Sequence, residues 1–167
     1  MIKAIIKVRG FGDIPIELAP DKAPLTVENF VKLAREGFYD ENPIYKIIPA
    51  MLIQAGDPNG NDTGGSGVTI KGECAANGWE QNDISLERGV IGMVHGTDFD
   101  DADSKFFILT REARYLNGIF AGFGQTGEEG LAVIDEIVRR VKPMDEEIGV
   151  VRWQDRPIIE TIEIVED

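Results

Sequence analysis

Cysteine and histidine are nearly absent from this 167-residue sequence, which has one of each. The single cysteine, Cys74, cannot form an intramolecular disulfide, so the chain suits a reducing compartment. The single histidine, His95, would have to be the base of any Ser-His or Cys-His nucleophilic pair. Cys74 lies far from His95 along the chain, and Ser104 is in no nucleophile-elbow pattern. We therefore interpret His95 as a structural histidine with satisfied hydrogen bonds.

Positive charge is also scarce, because 17 lysines and arginines face 30 aspartates and glutamates and leave a net charge of −13. An acidic surface repels phosphate groups, so we expect neither nucleic acid nor an anionic membrane as a partner. No apolar run approaches the ~18 residues of a membrane span. Lys3, Lys7 and Arg9 interrupt the apolar start, where a secretory signal needs a continuous run. We expect a cytoplasmic protein that works as a monomer.

The length suits one domain that spans residues 1–167 and buries its own core. Short alternating segments predict strands, and residues 2–9 and 13–18 around a glycine turn predict a hairpin. Further strand candidates are residues 44–48, 52–55, 68–70, 90–94, 106–110, 119–123 and 158–165. Many short strands with only two helices favour a mainly β, closed architecture, because closure removes exposed strand edges.

Two segments have the apolar spacing of a helix. The first follows Pro24, has apolar residues at i, i+3, i+4 and i+7 from Val27, and has a natural stop at Gly37. The second begins at the acidic Glu128 and ends in basic residues before Pro143. This order of charges complements the helix dipole.

Two loops suggest a ligand, and neither has the spacing that a ligand site requires. Asp57–Gly67 is rich in glycine but lacks the phosphate-loop pattern, so we interpret it as a shaped loop. Asp98–Asp103 has four carboxylates, yet an EF-hand loop would need glycine at position 103 and glutamate at position 109. We expect a solvated acidic loop, no metal and no cofactor. One hypothesis nevertheless remains for this loop, that it makes the chain a barrel that binds a metal ion or a small molecule.

The most informative segment is residues 43–57, an apolar run that contains Lys46, Met51 and Gln54. A polar residue on an apolar strand is costly to bury unless something binds it. Strand alternation also means that Phe106 and Phe107 point to opposite faces. At least one of these two rings therefore lies on the outer face of the sheet, where an aromatic residue requires an explanation.

Six blocks of the sequence occur in a fixed order, and the ordered set indicates a protein family more specifically than any single block does. They are Ala23–Phe30, Lys46–Pro58, Thr63–Gly65, Arg88–Met93, Ser104–Ile108 and Tyr115–Gly124. Together they resemble the cyclophilin-type peptidyl-prolyl cis-trans isomerases over nearly the whole chain. The second block is similar to the family's central motif, arginine-x-x-proline-glycine-phenylalanine-x-x-glutamine-glycine-glycine-aspartate.

The resemblance implies a closed eight-stranded antiparallel β-barrel with a capping α-helix at each end and a substrate groove on its outer surface. It implies proline-containing polypeptides as partners. The family's catalytic arginine falls on Lys46 and its glutamine partner on Gln54. The substrate-binding positions fall on Met51, Val94, His95, Lys105, Phe106, Tyr115, Leu116 and Phe120.

Some of these positions depart from the family pattern, and the lysine at the arginine position bears most on activity. An ammonium is a mobile point charge, whereas a guanidinium is a planar fork that Gln54 can fix. We therefore expect a peptidyl-prolyl isomerase whose turnover is reduced about ten- to a thousandfold relative to an arginine enzyme. The alternative is a non-catalytic module that binds proline-containing peptides in the same groove.

Overall fold

An antiparallel hairpin begins the computed structural model, which describes residues 1–167. Strand β1 (Ile2–Val8) pairs with strand β2 (Gly12–Leu18), so the predicted hairpin is confirmed. Ile6 and Ile14 are partners in this register, and both are buried. The alternating apolar residues of the hairpin therefore form one inward face.

Seven more strands extend the hairpin into a single sheet. They are β3 (Asn42–Pro43), β4 (Lys46–Ile48), β5 (Leu52–Ala55), β6 (Val90–Met93), β7 (Phe106–Leu109), β8 (Gly122–Thr126) and β9 (Ile158–Glu166). The order across the sheet is β3-β9-β1-β2-β8-β6-β7-β5-β4, and all neighbours are antiparallel. The prediction of a mainly β fold is confirmed.

The predicted closed eight-stranded barrel is wrong, because the sheet is a half-barrel of nine strands. Only part of the segment predicted as one strand, residues 44–48, is a strand: β4 begins at Lys46 and pairs with β5, while the short β3 ends at Pro43 and pairs with β9. The two end strands of the sheet form no ladder with each other. The outer edge of β4 is instead covered by a loop, since the Ile47 N–H donates to the Gly149 carbonyl at 2.7 Å. This edge is therefore satisfied without closure.

Two other strand predictions differ from the structure. Residues 68–70 form no strand and contribute one isolated bridge, between Ile70 and Ala102. The strand predicted at residues 119–123 begins only at Gly122. The chain is still turning at Ile119, whose N–H donates to the Leu116 carbonyl at 3.0 Å. An apolar run alone does not separate a strand from an apolar loop that packs on the surface.

Both predicted helices are present, as α1 (Pro24–Arg35) and α2 (Glu128–Arg140). Gly37, at φ +77°, ends α1: its N–H donates to the Ala34 carbonyl and the next N–H donates to the Leu33 carbonyl. Neither helix has the length and apolar composition needed to cross a membrane.

The main core lies on the concave side of the sheet, under α1. Its aromatic centre joins Phe30 of α1 to Tyr39, Phe106 and Phe123, with ring centroids 5.2–5.5 Å from Phe30. All four side chains are buried. Offset and edge-on contacts at these distances stabilise a core beyond the burial of apolar area alone.

Candidate active site

Strand register places three side chains in one row across the sheet. Lys46 of β4 is the direct partner of Gln54 of β5, and Gln54 is the direct partner of Phe107 of β7. The row continues to Gly92 of β6, the partner of Phe107. Residues directly opposite each other on antiparallel strands share a face, with Cβ atoms about 5 Å apart. The predicted pair, Lys46 and Gln54, is thus on the same face as an aromatic ring.

The two phenylalanines of β7 lie on opposite faces, and Phe106, which we predicted to be part of the substrate site, lies on the core side. The Phe106 ring lies in the main core, 5.4 Å from Tyr39. Phe107 instead belongs to a second apolar cluster, separate from the main core. Alternation required one outward ring, but it did not say which of the two it would be.

This second cluster, which we call the outer cluster, contains four of the predicted substrate-binding residues. Its buried members are Leu52, Leu86, Val90, Phe107, Leu109 and Ala113, and its half-buried members are Ile48, Met51, Ile84, Val94, Leu116 and Phe120. Phe107 meets Phe120 edge-on, with centroids 5.7 Å apart. The half-buried members leave apolar surface in contact with solvent beside the row of Lys46 and Gln54.

The polar end of the row is organised by a carboxylate, that of Asp62. The Lys46 Nζ donates to one oxygen of Asp62 at 2.9 Å. The other oxygen accepts hydrogen bonds from the Tyr45 hydroxyl at 2.7 Å and from the Gln54 amide at 3.1 Å. The same amide group also donates to the Tyr45 hydroxyl at 2.7 Å. Lys46 and Gln54 are therefore joined through Asp62 and not by a direct bond.

Asp62 is carried by the glycine-rich loop, which folds around the buried carboxylate of Asp57. That carboxylate accepts the backbone N–H groups of Asn59 at 2.7 Å and Asn61 at 3.2 Å. Burial raises the pKa of Asp57, but these backbone hydrogen bonds outweigh it and leave the pKa below its usual value. The loop is thus a shaped support, as its composition predicted.

Hydrogen bonding and burial keep Asp62 charged and Tyr45 neutral at this end of the row. Partial burial raises the pKa of Asp62, while the bonds from Tyr45 and Lys46 and the positive charge of Lys46 lower it by more. The net shift is downward, so Asp62 is a carboxylate at neutral pH. Burial and the neighbouring Asp62 raise the pKa of the Tyr45 hydroxyl, which remains a neutral donor.

The remaining predicted residues lie around this surface. His95 stacks on Phe120, with centroids 4.5 Å apart, and its two ring nitrogens face the carbonyl oxygens of Gly96 and Ile119 at 2.7 Å. The Lys105 Nζ donates to the Asp62 carbonyl at 3.2 Å. Tyr115 is 73% exposed and lies outside the outer cluster.

The acidic loop is held by its own hydrogen bonds. One oxygen of Asp98 accepts the Asp100 N–H at 2.8 Å, and one oxygen of Asp101 accepts the Gly96 N–H at 2.7 Å. Asp100 accepts from the Gly72 N–H and from the Asn77 amide, at 3.0 and 2.9 Å. These carboxylates shape the chain that leads from β6 to β7.

Comparison with known proteins identifies the family. A family model described as "Cyclophilin type peptidyl-prolyl cis-trans isomerase/CLD" matches residues 3–166. This chain is a member of the cyclophilin family. The resemblance inferred from the six blocks is confirmed.

Relatives of this cyclophilin are named as enzymes in several organisms. The peptidyl-prolyl cis-trans isomerase B of Bacillus subtilis is 43% identical over 112 residues, which cover 67% of this chain and 74% of the relative. A probable peptidyl-prolyl cis-trans isomerase of Brucella suis is 32% identical over 167 residues, which cover 95% of this chain and 81% of the relative. A crystal structure of a Cryptosporidium parvum cyclophilin in the presence of the dipeptide Ala-Pro has a TM-score of 0.83 at 25% identity, covering 99% of each chain.

Three residues of this cyclophilin site were missed by sequence reasoning: Tyr45, Asp62 and Phe107. Strand alternation did indicate Phe107 as well, because it required one of Phe106 and Phe107 to lie on the outer face. Tyr45 precedes Lys46, and its hydroxyl reaches Asp62 although its backbone lies between β3 and β4. Asp62 is an aspartate in a glycine-rich loop and has no periodic pattern around it. Only the folded loop brings it to Lys46.

Proposed function

We propose that this cyclophilin accelerates rotation about X-Pro bonds in polypeptides at the surface formed by the outer cluster and the row of Lys46, Gln54 and Phe107. The observation that carries the proposal is this row itself, in which a cation and an amide share a face with an aromatic ring. The activity agrees with the family and with the names of the relatives.

The apolar part of the surface supplies binding. A proline ring is apolar, and its transfer from water to apolar surface contributes roughly 25 cal/mol per Å². Met51, Leu116 and Phe120 offer such surface around the buried ring of Phe107, without a charged side chain among them. That the Cryptosporidium relative was crystallised in the presence of Ala-Pro supports a proline-containing ligand.

The polar part of the surface supplies catalysis. Amide resonance holds the X-Pro bond planar, and rotation must cross roughly 18–20 kcal/mol. In the twisted state the prolyl nitrogen becomes pyramidal and gains a lone pair that the planar amide lacks. A donor aimed at this nitrogen binds the transition state more tightly than either planar state, and this difference is what lowers the barrier. We assign this donor to the Lys46 ammonium, whose side chain is 20% exposed.

The isomerisation rate should be lower than that of an arginine enzyme, because the donor is an ammonium. Because an ammonium lacks the planar fork of a guanidinium, it is aimed less well at one atom. A loss of about ten- to a thousandfold in turnover corresponds to ~1.4–4 kcal/mol of transition-state stabilisation. We therefore retain the proposal that this enzyme is slower than an otherwise similar arginine enzyme.

The test is the isomerisation rate of a proline tetrapeptide with wild-type protein, Lys46→Ala and Lys46→Arg. We expect Lys46→Ala to lose at least about tenfold in kcat/KM and Lys46→Arg to gain about tenfold or more. Lys32→Ala removes an exposed lysine of α1 and serves as the matched control, which should retain the wild-type rate. Equal rates for wild type and Lys46→Ala would contradict the assignment.

One observation favours the non-catalytic alternative: the Lys46 ammonium is already paired with Asp62. Under that hypothesis the outer cluster binds proline-containing peptides, and the row of polar residues only orients them. Peptide titration followed by NMR separates the two functions. Tight binding without any acceleration, in wild type and Lys46→Arg alike, would support the binding module.

We also propose that residues 1–167 form one domain that works as a cytoplasmic monomer. The pairing of β1 with β9 ties the two ends of the chain into one sheet, and the single cysteine, Cys74, is buried and unpaired. Light scattering should give the 18.4 kDa mass of one chain. A dimer mass at micromolar concentration would contradict the monomer.

A further inference from the structure

The Asp62 carboxylate is the common partner of every polar group at the end of the row. Its two oxygens accept from Lys46 at 2.9 Å, from Tyr45 at 2.7 Å and from Gln54 at 3.1 Å. Asp62 is 47% exposed, whereas Gln54 is only 6% exposed. The carboxylate therefore lies between a buried amide and the surface at which a peptide would bind.

The backbone at Asp62 is in the left-handed region, at φ +71°. Glu41 is the only other residue besides glycine with a positive φ. Aspartate tolerates this conformation better than most residues, but glycine adopts it without a steric penalty. A strained residue whose side chain makes three convergent hydrogen bonds suggests that the side chain is used.

Two further contacts hold the backbone of the loop that carries this carboxylate. The Lys105 Nζ donates to the main-chain carbonyl of Asp62 at 3.2 Å. The loop that carries Asp62 is held from behind by Arg156, which donates to the Gly60 carbonyl at 2.8 Å. The position of the carboxylate is thus set by the loop, and not by Lys46 alone.

We propose that Asp62 is the positioning residue for Lys46, doing for the ammonium what an amide partner does for a guanidinium. This inference rests on the proposed isomerase function. An ammonium has three N–H donors, so the bond to Asp62 leaves two of them free. The bond removes most of the rotational freedom of a long side chain, and a donor held in one direction gains in effective concentration at the prolyl nitrogen.

The test compares Asp62→Asn and Asp62→Gly, alone and in the Lys46→Ala background. Asparagine keeps the size and tolerates the left-handed backbone, and glycine relieves it, so both variants should fold. We expect kcat to fall about tenfold in both, with KM changed less than about twofold. Glu146→Gln removes an exposed carboxylate in the segment that follows α2 and should leave both constants unchanged.

Coupling to Lys46 separates positioning from a structural role. In the Lys46→Ala background, Asp62→Asn should cause no further loss, because there is no ammonium left to position. A second readout is the exchange of the Lys46 ammonium protons with water, measured by NMR, which slows when the ammonium is held in hydrogen bonds. This exchange should be slowest in wild type, faster in Asp62→Asn, whose neutral oxygen is a weaker acceptor, and fastest in Asp62→Gly.

Two results would overturn the inference: a wild-type kcat in Asp62→Asn, or an equal loss with and without Lys46. Failure of the proposed function looks different, because wild type and Lys46→Ala would then have the same rate. If wild type is well above Lys46→Ala while Asp62→Asn equals wild type, the isomerase stands and the role of Asp62 does not.

Discussion

Phe106 and Phe107 are adjacent in the chain and serve different parts of the molecule. Phe106 packs at 5.5 Å from Phe30 in the main core, where it contributes to stability. Phe107 lies in the outer cluster, beside residues that are half exposed. The two rings have the same chemistry, so a matched substitution can separate folding from binding.

We expect Phe107→Leu to lower kcat/KM by about tenfold, because a smaller side chain loses contact with the proline ring. Phe106→Leu should keep kcat/KM within about twofold and should lower the free energy of unfolding by about 1–2 kcal/mol, since it leaves space in the core. Tetrapeptide kinetics and urea unfolding measure the two effects. The opposite pattern, with activity lost only in Phe106→Leu, would restore our sequence-based choice.

The limits of prediction at this scale are physical. Lys46 and Gln54 could be found because polar residues in an apolar strand are conspicuous. The choice between Phe106 and Phe107 depends on which side of β7 faces the core, and alternation leaves both phases possible. Asp62 depends on a loop whose shape comes from hydrogen bonds to Asp57, and no local pattern describes that shape.

At the scale of elements, the site depends on how closely β6 approaches β7. A Cβ atom on Gly92 would lie 2.4 Å from Cζ of Phe107, well inside van der Waals contact. The Phe107 ring therefore lies across the backbone of β6, and the absence of a side chain at position 92 allows it. Strands β6 and β7 were predicted to within one residue because both are short apolar runs, but this contact needs the register between them.

We expect Gly92→Ala to displace the Phe107 ring toward solvent. The extra methyl should raise KM for the tetrapeptide about tenfold and cost about 1–3 kcal/mol of stability, as overpacking does. Gly127→Ala is the control, because a Cβ there meets nothing within 4 Å and its φ is −99°. Because Gly127 is the N-cap of α2 and alanine is a poor N-cap, it should cost about 1 kcal/mol of stability, but it should leave KM unchanged. An unchanged KM in Gly92→Ala would mean that Phe107 does not contact the substrate.

At the scale of the whole molecule, hydrogen bonds from neighbouring side chains stabilise the charged form of some acidic residues. Arg114 and the Ser85 hydroxyl lower the pKa of Glu87 to about 2. Arg88 lowers the pKa of Asp135 by a hydrogen bond that joins the turn before β6 to α2. These carboxylates titrate at lower pH in the folded chain than in the unfolded chain, and the difference links proton binding to stability.

We therefore expect stability to be nearly constant from pH 7 to about pH 5 and to fall steadily below about pH 4.5. Stability falls because the pKa values of Glu87 and Asp135 are lower in the folded chain than their ordinary values of 4.5 and 3.8. Below those ordinary values the unfolded chain binds protons that the folded chain binds only at lower pH. Urea midpoints at pH 7, 5, 4 and 3 measure this decline, and Glu87→Gln should make it shallower. If instead the midpoint rises between pH 5 and pH 3, relief of repulsion within the net charge of −13 outweighs the lost hydrogen bonds.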